Sequence, residues 1–124
     1  LETEWVTAAG GNEPKNRYPW DEEGKATTLL KDVLRCANTE ESEIGCTTPV
    51  NQYPLGKSPF GVMDMAGNVW EWQVNFWMQD HNLLTLCGGA WFAPHNYARV
   101  ARHSFNHPVI EHNNFIGIRV VLIP

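Results

Sequence analysis

The clearest alternation of apolar and polar positions runs from Val69 to Trp77. There Trp70, Trp72, Val74 and Phe76 alternate with Val69, Glu71, Gln73 and Asn75. A period of two predicts a strand with one heavily aromatic face. Arg99 to Arg102 and Ile116 to Leu122 read as two further strands, the last with Gly117 where another backbone can approach closely. Thr3-Glu4-Trp5-Val6-Thr7-Ala8-Ala9 reads as a short helix stopped by Gly10-Gly11, and Thr28 to Leu34 as another helical turn or two. Asn12 to Gly24 is turn-rich and acidic, and Ala37 to Pro59 is loop punctuated by Pro49, Pro54 and Pro59. So long a stretch without regular structure is uncommon in a compact domain and often carries function or binds metal. The sum is an α+β domain with few short strands and much ordered loop, undivided by repeat or linker.

Composition narrows the function classes. The 124 residues suffice for one domain with one real core, and 43% apolar against 19% charged residues argues against wholesale disorder. No apolar run approaches the ~18 residues needed to cross a bilayer, so no membrane insertion is expected. No Arg/Lys-led apolar stretch opens the chain, so no signal peptide is visible in it; its first residue is Leu1 rather than Met, which leaves a trimmed start and a preceding leader open. The net charge of −5 conceals a split: residues 1–80 carry 13 acids and 6 Lys/Arg, whereas residues 81–124 carry Glu111 alone against three Arg and hold all five His. Three Arg in that stretch are too sparse to track a phosphate backbone, which argues against nucleic acid as a partner. Cys36, Cys46 and Cys87 leave two readings open, a Cys36–Cys46 bond or reduced thiols.

Catalytic constellations are weak. His95, His103, His107 and His112 invite a zinc hypothesis, with His103 and His107 four apart as on a metal-binding helix. Pro108 follows and the local pattern is not helical, which favours surface histidines. Ser104 adjoins His103, but neighbours in a strand point to opposite faces, so no nucleophile–base pair is expected. Gly10-Gly11 follows a helix rather than leading into one, unlike a phosphate loop.

Several strings stand in a telling order: Leu1-Glu2-Thr3-Glu4-Trp5, Tyr18-Pro19-Trp20, Ala37-Asn38-Thr39 through Thr47-Thr48-Pro49-Val50, and Phe60-Gly61-Val62-Met63-Asp64-Met65-Ala66-Gly67-Asn68-Val69-Trp70-Glu71-Trp72. Gly88-Gly89-Ala90-Trp91, Arg99, Arg102, Pro108 and Ile116-Gly117-Ile118-Arg119-Val120 follow. Over the whole chain this resembles the formylglycine-generating enzyme (sulfatase-modifying factor) family. The resemblance implies a C-type lectin fold of that type over residues 1–124, with short twisted antiparallel strands, one or two short helices and loops held over a small sheet. Family domains usually begin well before the counterpart of Leu1, which would make this a truncated or minimal version.

The resemblance also bears on chemistry. The family's oxidases place cysteines a few residues after a Gly-Gly-Ser-aromatic turn, where soft sulfur binds the Cu(I) that activates oxygen. Here Ala93 stands about where the first thiol would be and no Cys follows Cys87, so a non-enzyme is expected. Asp64-x-x-Gly67-x-Val69-x-Glu71 places two carboxylates around a tight turn, and hard cations want several such oxygens. The matching family positions imply a structural Ca²⁺ held by the side chains of Asp64 and Glu71 and the carbonyls of Gly67 and Val69. The alternative is that both carboxylates cap the turn without metal. A second family Ca²⁺ site, around Glu41 to Ile44, has Ser42 where an Asp ligand would stand.

Cys87 to Phe115 mixes aromatic anchors with His, Asn and Ser, the composition of a paratope. Lys, Glu, Gln, Met and Trp make up 24 of residues 1–80 but only two, Trp91 and Glu111, of the 29 from 87 to 115. Those five types are the ones that an Asn codon ending in a pyrimidine cannot reach when its adenines are replaced. That pattern resembles the variable proteins of diversity-generating retroelements, which share the scaffold and end in a diversified segment. The resemblance implies that Gly88, Gly89, Trp91, Arg99, Arg102, Pro108, Gly117 and Arg119 are scaffold. It makes Phe92, Ala93, Pro94, His95, Asn96, Tyr97, Ser104, Phe105, Val109, Ile110, His112 and Asn113 the ligand-facing positions within a variable segment 87–115. The expected partner is a protein or cell-surface ligand. The alternative is a catalytically inactive sulfatase-modifying-factor-like domain with a structural or regulatory part. A sugar-binding lectin has little support, since Asn12-Glu13-Pro14 only echoes a Glu-Pro-Asn motif in scrambled order.

Overall fold

The computed structural model describes residues 1–10, 17–22, 24–77, 80–108 and 113–123. Two short helices, α1 (Glu2–Ala8) and α2 (Leu30–Val33), precede four strands, β1 (Trp70–Trp77), β2 (Asp80–Cys87), β3 (His103–Pro108) and β4 (Ile116–Gly117). The strands form one sheet in the order β3-β2-β1-β4. β1 and β2 pair antiparallel with Glu71 opposite Cys87, and β2 pairs antiparallel with β3. β4 runs parallel to β1, with Ile116 opposite Trp70, so the sheet is mixed rather than wholly antiparallel as expected. No described helix is long and apolar enough to cross a membrane.

The aromatic strand forms where its alternation predicts, but its polar face is not the wet one. Glu71 and Gln73 are 5% and 4% exposed, while Val74 on the aromatic face is 79% exposed. Helix α1 packs on β1 and β2, and the Trp5 indole N–H donates to Glu71 Oε2 at 2.7 Å. Helix and carboxylate thus bury the polar side of the strand. On the other face Trp70 packs with Leu86, Ala90 and Ala93 beneath the C-terminal loops. The start of β1 is therefore covered on both sides, and alternation alone does not predict that.

Two sequence expectations are corrected, and the open question of the cysteines is answered. Arg99 to Arg102 is not a strand: it follows the 3-10 turn His95–Ala98, and the Arg102 N–H closes a turn onto the Arg99 carbonyl at 3.0 Å. Four residues are too few for period two to discriminate. The stretch Ile116 to Leu122 pairs only at Ile116–Gly117, and beyond it Ile118, Val120, Val121, Leu122 and Ile123 stay exposed. Cys36, Cys46 and Cys87 are all free, the reduced-thiol reading. Strands β2 and β3 are additional to those the sequence pattern predicts.

Candidate functional site

The turn between Asp64 and Glu71 is the hub of the domain. Gly67 has φ +73°, and a Cβ there would lie 2.2 Å from the Asn38 carbonyl oxygen, so only glycine fits. Its N–H donates to the Gly88 carbonyl at 2.7 Å, tying the turn to the end of β2. Asn68 accepts from the Thr48 N–H and donates to the Thr48 carbonyl, both at 2.9 Å, and donates to Asp64 Oδ2 at 2.7 Å.

The two carboxylates of this turn are differently placed. Glu71 Oε1 accepts from Arg119 Nη2 at 2.7 Å, and Oε2 accepts from Arg119 Nε at 2.8 Å and from Trp5. Arg119 Nη2 also donates to the carbonyls of Met63 and Asp64. Asp64 Oδ1 is buried and meets no donor. Burial pushes the Asp64 carboxyl up to about 6; the Asn68 hydrogen bond and the Arg119 charge oppose that shift, and Glu71 adds to it. Of the four residues that the calcium expectation names, Glu71 is engaged by Arg119, which also bonds the Asp64 carbonyl. As arranged they do not fit the ion through Glu71, because a guanidinium already satisfies both of its oxygens.

The segment after β2 is held mainly through its backbone. The Trp91 N–H donates to the Asn68 carbonyl at 2.9 Å, and the Ala93 carbonyl accepts from Glu40 at 3.0 Å. The His95 N–H donates to both Glu41 oxygens, at 3.0 and 3.1 Å, and the Val100 N–H donates to the Arg17 carbonyl at 2.9 Å. Burial raises the Glu41 carboxyl, but the His95 N–H and the Thr39 hydroxyl outweigh it and leave the group below its usual range. The Tyr18 hydroxyl shares a hydrogen bond with His95 Nδ1, and burial holds that phenol above its usual value.

A cleft of about 360 Å³ opens on this segment, lined by Trp70, Phe92, Ala93, Pro94, Tyr97, Ser104 and Phe115. Its rings meet edge to face: Phe92 with Phe115 at 4.6 Å and Trp70 with Tyr97 at 6.2 Å between centroids. Phe92 is 42% exposed, whereas Ala93 is only 6% exposed and forms the floor. Five expected ligand-facing positions therefore converge. His95 and Asn96 are half-buried, with His95 seated on Tyr18, and Asn113 is exposed. Phe105 lies on β3, with its side chain outside the description, and Val109, Ile110 and His112 lie outside the described residues. His103 and His107 lie on β3, not on a helix. A larger cleft, about 540 Å³ beside Trp20 and Lys57, holds none of the expected residues.

Sequence reasoning missed Trp70 and Phe115 as cleft walls and treated two arginines as scaffold. Arg102 places its guanidinium carbon 4.9 Å from the Tyr97 ring centroid, and Arg99 lies 5.5 Å over Tyr18. Together with Asn96 and Ala101 they line a second cleft of about 210 Å³. The available signal was the spacing of two arginines three apart directly after an aromatic turn.

Comparison with known proteins agrees with this architecture. Bovine (Bos taurus) inactive C-alpha-formylglycine-generating enzyme 2 is 29% identical over 126 residues, covering 95% of this chain and 41% of the relative. The formylglycine-generating enzyme of Thermomonospora curvata is 35% identical over 85 residues, 64% of this chain and 27% of its own length. The chain thus spans less than half the length of these relatives. Treponema denticola variable protein 1 shares the fold, with a TM-score of 0.74 and 20% identity over 95% of this chain and 44% of that one. Residues 1–123 match the sulfatase-modifying factor enzyme 1-like domain, and the chain belongs to that family, built on its C-type lectin type of fold.

Proposed function

We propose that this domain binds a ligand without transforming it, and that its C-terminal loops are the contact surface, as in a variable protein of a diversity-generating retroelement. The observation that carries the reading is the aromatic cleft. Phe92, Ala93, Pro94, Tyr97 and Ser104 surround one opening, over rings braced by Trp70. A rigid frame with aromatic walls and adaptable polar neighbours suits recognition of a protein or cell-surface ligand. The chemistry of the family's oxidases lacks its soft ligands here. Ala93 closes the floor where the first thiol would stand, and Cys87 is buried with its thiol pushed well up.

At the Asp64–Glu71 turn, Arg119 serves as the structural cation, in the place the family resemblance gives to Ca²⁺. The support is the bidentate pairing of Arg119 with Glu71 and its bonds to two turn carbonyls. A second reading, an inactive structural or regulatory domain, is favoured by the bovine relative whose name calls it inactive.

The deciding experiment is genetic. Sibling genes and the flanking DNA are sequenced for a near-copy of the segment encoding residues 87–115. Differences confined to adenines of that copy are the expected result. Differences scattered over the whole chain would remove the retroelement reading and leave the structural one.

A further inference from the structure

Resting on the binding reading above, we infer that the surface takes an acidic peptide segment in which an aromatic side chain neighbours an Asp or Glu carboxylate. Tyr97, a wall of the aromatic cleft, meets Arg102, a wall of the polar one. Its ring lines the aromatic cleft with Trp70, and the Arg102 guanidinium covers the same ring and lines the polar cleft with Arg99 and Asn96. An apolar seat and a cationic seat therefore adjoin at the Tyr97–Arg102 contact.

The cationic seat meets no anion among the described residues. Among the described residues the side-chain ion pairs are Lys25–Glu22 and Arg119–Glu71, and neither Arg99 nor Arg102 meets a carboxylate. Both guanidinia lie instead against rings; Arg99 also hydrogen-bonds the Tyr18 hydroxyl, and the exposed Arg102 keeps its N–H groups as donors at the rim. Arg99 Nε is buried with no acceptor at all. The Arg102 N–H bonds the Arg99 carbonyl, which fixes the spacing of the two backbones, and the Tyr97 ring supports the Arg102 fork, whose planar donors suit a carboxylate. Charge points the same way. Residues 81–124, which form this surface, carry three Arg against one acid within a chain of net charge −5, although Glu41 from the first part packs against the segment at His95. The aromatic cleft, walled by rings that meet edge to face, accepts a further ring in the same geometry.

The test uses the whole chain and three fluorescein-labelled octapeptides, acetylated and amidated so that only side chains carry charge. One holds phenylalanine flanked by aspartate and glutamate. The second has alanine for the phenylalanine, and the third has lysine for the acids. Anisotropy is read at low and high salt for the wild type, R102Q and F92A. Both substituted side chains are exposed, and circular dichroism confirms folding. Only the acidic aromatic peptide binds; R102Q weakens it by about tenfold or more and flattens the salt dependence, while F92A weakens it and keeps that dependence. Equal binding of the lysine peptide, or no change in R102Q, overturns this inference and leaves the binding reading intact. No binding by any of the three also overturns it, and the gene comparison then decides the parent reading alone.

Discussion

Replacing Asp64 with asparagine should change the pH dependence of stability, with a sign that separates two accounts of the central turn. Asp64 is 8% exposed, one carboxylate oxygen has no donor, and its pKa is raised from 3.8 to about 6. In the unfolded chain the group loses its proton near 4, so between about pH 4 and 6 the folded state holds a proton that the unfolded state has released. Stability from this group therefore rises on acidification through that window and is lost as the pH climbs past 6. From about pH 7.5 to 4.5 the two pKa values give a gain of about 2 kcal/mol. An asparagine side chain at this position keeps an acceptor for Asn68 and tolerates the φ of +59° found there, but it does not titrate.

The measurement is urea unfolding of the wild type and D64N across that range, taken as the difference between the two proteins. Subtraction removes groups such as Glu41, whose lowered pKa contributes the opposite slope. The wild type should gain about 2 kcal/mol on the variant as the pH falls. A flat difference, or one in which the wild type loses ground in acid, would refute the reasoning. The second outcome is what a carboxylate ligating a cation would give.

Other outcomes follow from the same geometry. Arg119→Ala strands Glu71, 5% exposed, with only the Trp5 N–H beside it, and should cost about 3–5 kcal/mol in urea unfolding. Gly67→Ala drives a Cβ to 2.2 Å from the Asn38 oxygen and should abolish the near-UV dichroism of the packed tryptophans; Gly24→Ala, with nothing within 4 Å, should cost only about 1 kcal/mol. Removing Ca²⁺ with a chelator should leave the melting temperature unchanged, and a rise on adding Ca²⁺ would return the ion to the turn. Incubation with copper and a cysteine-containing sulfatase peptide should yield no aldehyde, and aldehyde formation would restore an oxidase.

Much of the frame is legible in the sequence because it depends on local signals. The tryptophan alternation places β1, and Gly10 marks the end of α1, where its φ is +115°. β3 is not legible because His-Ser-Phe-Asn-His-Pro has neither alternation nor β-branched residues; pairing with β2 places it. The turn motif identifies Asp64 and Glu71, but the partner that decides their state, Arg119, lies 48 residues beyond Glu71 and reaches it only through the fold. Composition singles out the tail, yet cannot tell that Ala93 turns inward or that His95 rests on Tyr18, 77 residues away. Nor can it show that Arg99 and Arg102, read as scaffold, border an open cleft.

The tail's attachments at Trp91, Ala93, His95 and Val100 are amide hydrogens and one carbonyl oxygen. Every amino acid carries the carbonyl, and every one except proline carries the hydrogen. Replacing a side chain at these stations therefore leaves the backbone bonds themselves in place, although Ala93 admits little that is larger and His95 would lose its contact with Tyr18. Proline at 91, 95 or 100 would cut a mooring whatever its neighbours.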